Sequence, residues 1–141
     1  MAKGVNPSSG TTRQPMPASV SIFKQRHYLI SRVPAGPSDE DLAGLRDRLV
    51  REVGQHRSMG VIVDVTDLDV MDSFSARTLR DLALAIRLRG AETVIVGLQP
   101  EVAFSMVQLG LRLEGVQTAL DLEEGIAYLD NKRVRQDSGA E

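Results

Sequence analysis

VIVDVTDLDVMDSFSARTLRDLAL, running from Val61 to Leu84, changes its period midway, and that change decides how the chain folds. Val61 to Val65 is apolar and β-branched apart from Asp64, the composition of a strand buried on both faces. Thr66 to Met71 reads as an acid-rich loop. From Ser73 onward Phe74, Leu79, Leu82, Ala83 and Ile86 recur at helical spacing, with Arg77, Arg80, Asp81 and Arg87 between them. Asp72 and Ser73 therefore stand where a helix begins, and either side chain can accept hydrogen bonds from the unpaired N–H groups of a first turn. Two readings of Ser73 stay open on these residues. It is an N-cap that stabilises the helix by about 1 kcal/mol, or it is a modification site. A phosphoryl group there would be favoured by the helix N-terminus and repelled by Asp67, Asp69 and Asp72.

Outward from this stretch, strands alternate with helices. Ser19 to Phe23 and Tyr28 to Val33 read as an antiparallel hairpin joined at Lys24-Gln25-Arg26. Ser38 with Asp41 opens a capped helix whose face is Leu42, Leu45, Leu49 and Val53, ending near Gln55 to Gly60. After the central helix Gly90 is a stop, and Thr93 to Val96 is a second buried strand ending at Gly97. Pro100 suits the first turn of a helix carrying Val102, Ala103, Met106, Val107 and Leu109 before Gly110. Val116 to Ala119 is a last short strand, and Leu122 to Leu129 a closing helix after which the polar end NKRVRQDSGAE frays. Met1 to Ala18, rich in Gly, Ser, Thr and Pro, reads as a disordered tail. The expectation is one α/β domain over residues 19–130, with a mixed, mostly parallel sheet, an N-terminal antiparallel hairpin and about four helices.

Composition narrows the function. The chain has 141 residues and a net charge of −2, with its arginines scattered, so it carries no electrostatic footprint for nucleic acid or an anionic membrane. It has no Cys, which excludes disulfides and thiolate chemistry, and only His27 and His56, which lie on separate elements. No G-x-S-x-G and no phosphate-loop motif is present, so no catalytic residue, metal or cofactor is expected. No apolar run approaches the ~18 residues of a membrane span, and the N-terminus lacks a signal-peptide core, which makes a cytoplasmic location the default expectation. Met59, Met71 and Met106 read as core and not as a cofactor pocket. A metal-dependent phospho-acceptor role for Asp64 is disfavoured, because Lys24, Arg26 and His27 stand where further acids would be needed. Asp64, Asp67 and Asp69 are then solvated loop acids.

Three segments, GVIVDVTDLDVMDSFSAR, VIVGLQPEVAFSMVQLGL and TALDLEEGIAYL, together resemble the STAS-domain anti-sigma-factor antagonist family. Asp72-Ser73-Phe74, with Gly97 to Ala103, is most similar to its stressosome branch, the RsbS-type scaffolds. The resemblance implies a non-enzymatic switch in which Ser73 is phosphorylated by an RsbT-type serine kinase and restored by an RsbX-type phosphatase. It further implies a homo- and hetero-oligomeric shell formed with RsbR-type STAS paralogues, which holds the kinase until Ser73 is modified. Asp67, Asp69, Met71, Asp72, Phe74 and Arg77 are the partner-binding residues expected on this basis. Ser75 offers a second hydroxyl as a possible further site. The nearest alternative is an anti-sigma-factor antagonist with a single partner, using the same serine. Neither nucleic acid nor membrane is an expected partner.

Overall fold

The computed structural model describes residues 21–139, with side chains through Arg135. The proposed tail, Met1 to Ala18, and the first residues of the first expected strand lie outside the described residues. Five strands and four helices follow in the order β1 (Ser21–Gln25), β2 (Tyr28–Arg32), α1 (Asp39–His56), β3 (Gly60–Asp64), α2 (Ser73–Leu88), β4 (Glu92–Val96), α3 (Pro100–Leu109), β5 (Gln117–Ala119) and α4 (Leu122–Gly139). The sheet order is the chain order, β1 to β5, with β1 antiparallel to β2 and every later pair parallel. The expected fold class stands.

This topology dictates the layers. Parallel neighbours joined in sequence by right-handed crossovers put their connecting helices on one face of the sheet. The first three helices accordingly bury Leu42, Leu45, Leu49, Leu79, Leu82, Ile86, Val102 and Met106 against Leu29, Val61, Val63 and Ile95. The alternate strand residues Tyr28, Ile30, Ile62, Val94 and Val96 point the other way and are covered by α4 through Leu129. β3 and β4 are thus buried on both sides, which suits their apolar runs Val61 to Val63 and Val94 to Val96.

Local chemistry fixes the boundaries. Ser38 and Asp41 form a reciprocal capping box at 3.0 Å in both directions, as their spacing predicts. The hairpin is tighter than expected: Lys24 and Gln25 belong to β1, and the turn is Arg26-His27 alone. Arg26 sits at φ 57°, the positive value that two-residue hairpin turns need if they are to match strand twist.

One further expectation is corrected. The closing helix does not fray after Leu129 but continues to Gly139. Its polar continuation lacks an apolar stripe, yet it is anchored by tertiary contacts: Asp130 accepts from the Tyr28 hydroxyl, and Lys132 Nζ lies 3.9 Å from the Glu92 carboxylate. Burial first, and Asp130 second, push the Tyr28 phenol up to about 12, so it remains a donor. In α3 only Val102 and Met106 are buried, whereas Val107 is 77% and Leu109 67% exposed. Each helical step turns by about 100°, so only positions four apart keep facing the sheet in so short a helix.

Two glycines give opposite stability predictions. Gly44 lies inside α1 with open space where a Cβ would stand, so Gly44→Ala is expected to stabilise by about 0.5–1 kcal/mol. Gly97 sits at φ +81° with a built Cβ only 2.1 Å from Thr66 Oγ1, so Gly97→Ala is expected to destabilise by more than about 1 kcal/mol. Urea unfolding midpoints of the two variants check both signs.

Candidate functional site

At one pole of the sheet β2, β3 and β4 end in a row, with Arg32, Asp64 and Val96 side by side. Residues 65–72 leave this row and lead into α2. Asp64 accepts from the Thr66 amide at 2.9 Å and the Thr66 hydroxyl at 2.6 Å, which folds the chain sharply at the strand end. The Thr66 carbonyl accepts from Gln99 Nε2 at 2.5 Å, tying the loop to the residue before α3. Thr66 and Asp64 fill the space that a side chain at Gly97 would need. Leu68 and Met71, each 2% exposed, are pushed into the core and pin the loop from below. Asp67, Asp69 and Val70 are left at the surface.

Asp67 is held by Arg32, whose Nε and Nη2 both reach Oδ2 at 3.1 Å. Both side chains are about half exposed, so solvent screens the pair and it serves mainly to orient the loop.

The start of α2 resolves one of the open alternatives. Asp72 is the N-cap, and its Oδ1 accepts from the Ser75 amide at 2.8 Å. That amide, and then the Ser75 hydroxyl, hold the Asp72 carboxyl below the usual carboxylate range. Ser73 is the first helical residue, exposed, and is not needed as a cap. Ser75 is only 6% exposed on the inward face of α2, so its hydroxyl is far less accessible than that of Ser73, which counts against it as a second modification site. Met71 is corrected from a surface contact to a core support. Phe74 is half-buried against the core, and Arg77 is exposed one turn beyond Ser73.

The surface that remains is Asp67, Asp69, Asp72, Ser73 and Arg77 with an edge of Phe74, together with one residue that sequence reasoning passed over. Val70 is 65% exposed, an apolar side chain between two acids, and its place between the pinned Leu68 and Met71 was the only signal. Arg32 and Gln99 were also missed, because their roles come from contacts across the pole. Among the described residues, no group of three or more His, Cys, Asp or Glu is placed to hold a metal. No described helix is long and apolar enough to cross a membrane.

Comparison with known proteins gives this arrangement a family. The STAS domain matches residues 39–125, more than half of the chain. The chain belongs to the STAS family. RsbS from Moorella thermoacetica, solved as a serine-to-glutamate variant, superposes on this STAS protein with a TM-score of 0.71 at 28% identity, over 82% of this chain and 98% of that one. A chain from the molecular architecture of the stressosome gives a TM-score of 0.64 at 28% identity, over 80% of this chain and 98% of that one. The RsbT co-antagonist protein RsbRA of Bacillus subtilis is 35% identical over 82 residues, which is 58% of this chain and 30% of that protein. The chain spans about a third of the length of such RsbT co-antagonists, 30–34% in three of them. The anti-sigma factor antagonist SpoIIAA shares the fold, with a TM-score of 0.60 at 15% identity.

The cap makes its own prediction. Because the Asp72 pKa is depressed in the folded state, its contribution is full above the ordinary carboxylate range and is lost as pH falls through the folded value. Asp72→Ala is expected to cost about 1 kcal/mol at pH 7. The gap to wild type should close in acid, and Asp72→Asn should keep most of the stability at neutral pH. Denaturant titrations at pH 7 and pH 3 check this; a gap that persists unchanged in acid would contradict it.

Proposed function

We propose that this STAS protein is a non-enzymatic, phosphorylation-switched scaffold of a stressosome-type assembly, which sequesters a serine kinase and releases it when Ser73 is phosphorylated. The observation that carries the reading is the exposed Ser73 hydroxyl at the first position of α2, with Asp72 already serving as cap. A kinase can reach this hydroxyl without disturbing the helix. A phosphoryl group adds about −1.5 to −2 charges, and the free amides of the first turn can hold it. The same charge, added beside Asp69 and Asp72, disfavours any partner face fitted to a neutral hydroxyl. Phosphorylation then acts by changing the charge of a surface, and the fold survives.

The partners follow from the similarities. The likeness to RsbS and to RsbT co-antagonist proteins supports RsbR-type paralogues as neighbours in the shell, an RsbT-type kinase as the sequestered partner and an RsbX-type phosphatase to reverse the modification. The exposed loop acids and Arg77 are the proposed contacts, with Val70 as an apolar point among them. No catalysis is asked of the chain itself. A single-partner antagonist would use the same serine, but the likeness to SpoIIAA is one of fold alone.

The test is phosphosite mapping after incubation with ATP and an RsbT-type kinase, followed by kinase capture. Phosphate is expected on Ser73 and not on Ser75. Ser73→Ala should bind the kinase as wild type does and resist release. Ser73→Asp should fold normally and bind more weakly, and the phosphorylated protein should lose affinity by about tenfold or more, the equivalent of roughly 1.4 kcal/mol. Equal capture of the modified and unmodified protein would overturn the proposal.

A further inference from the structure

At the pole opposite Ser73, where β3 and β4 begin at the paired residues Gly60 and Glu92, a cleft of about 220 Å³ opens between the end of α2 and the middle of α4. Its polar lining is Arg87 from α2, Lys132 and Arg133 from α4, and Glu92 from β4. Three cations therefore meet one carboxylate. Glu92 lies 3.9 Å from Lys132 Nζ, at the outer limit of an ion pair, and no carboxylate lies within 4.0 Å of either guanidinium among the described residues. The next acid along α4, Asp130, accepts from the Tyr28 hydroxyl and keeps its charge, so with it counted three cations face two carboxylates and one positive charge is left in excess.

The cations are held in place. Arg87 Nη2 donates to the Gly115 carbonyl at 2.6 Å, which fixes its guanidinium at the cleft edge. Lys132 sits 6.0 Å from the centre of the Tyr128 ring. Arg133 approaches the Tyr28 hydroxyl, yet its Nε is buried and has no hydrogen-bond partner. An unpaired N–H on a buried charged group is costly, and native structures rarely leave one without a reason. The helix carbonyls that would repel an anion here are already occupied: Ile86 O accepts from the Arg89 and Ala91 amides, and Arg87 O from Gly90.

We propose that this cleft binds a small tetrahedral oxyanion, inorganic phosphate or the head of a phosphomonoester. The excess positive charge and the forked donors of arginine suit phosphate oxygens. At about 220 Å³ the cleft encloses a phosphate group and falls short of the roughly 300–1,000 Å³ that encloses a drug-sized ligand, so any ester group would project from it. The site lies outside the Ser73 surface and does not depend on the function proposed for it.

The full chain, labelled with ¹⁵N, is titrated separately with inorganic phosphate and with methyl phosphate at constant pH and ionic strength. Saturable amide shifts are expected at Gly90, Ala91, Lys132 and Arg133 with at least one of the two, and the tighter one identifies free ion or monoester. Arg133→Gln and Lys132→Gln should each weaken binding by about tenfold, near the 1.4 kcal/mol of one such factor. Glu92→Gln, which removes the carboxylate from the cleft lining, should tighten it severalfold, a gain that a destabilised fold cannot imitate. Linear, non-saturating shifts with both probes would overturn the proposal, as would saturable binding indifferent to all three substitutions.

Discussion

The bond from the Ser75 amide to the Asp72 carboxylate, 2.8 Å long, determines what Ser73 is free to do. A helix start leaves orphan N–H groups, and a side chain at the N-cap position takes up one of them, here the Ser75 amide. Had Ser73 been the cap, modifying it would have meant dismantling the first turn. With Asp72 in that role, the next hydroxyl is exposed, rigidly placed and structurally idle. The positive end of α2 also lies beneath it.

That cap is stable because the loop before it is held from three directions. Asp64 folds the chain over Thr66, Gln99 clasps the Thr66 carbonyl from the far side, and Leu68 and Met71 anchor it in the core. Gly97 makes the arrangement possible, since any side chain there would displace Thr66. The acidic surface of Asp67, Asp69 and Asp72 therefore rests on a fixed frame, and in the proposed switch a change of charge on it would reach a partner as electrostatics instead of being absorbed by loop movement.

Much of this was legible in the sequence because the governing rules are local. The β-branched runs at Val61 and Thr93, the Ser38 and Asp41 box and the period of α2 each report short-range physics, and each element lies where that physics puts it. The parts not legible depend on what is packed nearby. Nothing local distinguishes Met71, which is buried, from Val70, which is exposed, whereas Ser75 is buried because it shares the inward face of α2 with Leu79, Leu82 and Ile86. Val107 and Leu109 are apolar yet exposed, because α3 offers the sheet only one narrow stripe, and their sequence does not say which face that is. The second half of α4 is polar and has no apolar period to read, so its helix was visible only through its contacts with Tyr28 and Glu92.

The central claim is that a phosphoryl group on Ser73 changes the charge of an intact surface. Amide hydrogen exchange of the Ser73-phosphorylated protein against the unmodified protein tests it most directly. The account predicts undiminished protection of the amides of Val61 to Val63 and of α2 beyond its first turn, with changes confined to the amides around Ser73. Loss of protection along α2 would contradict it and would make the switch an unfolding of the helix.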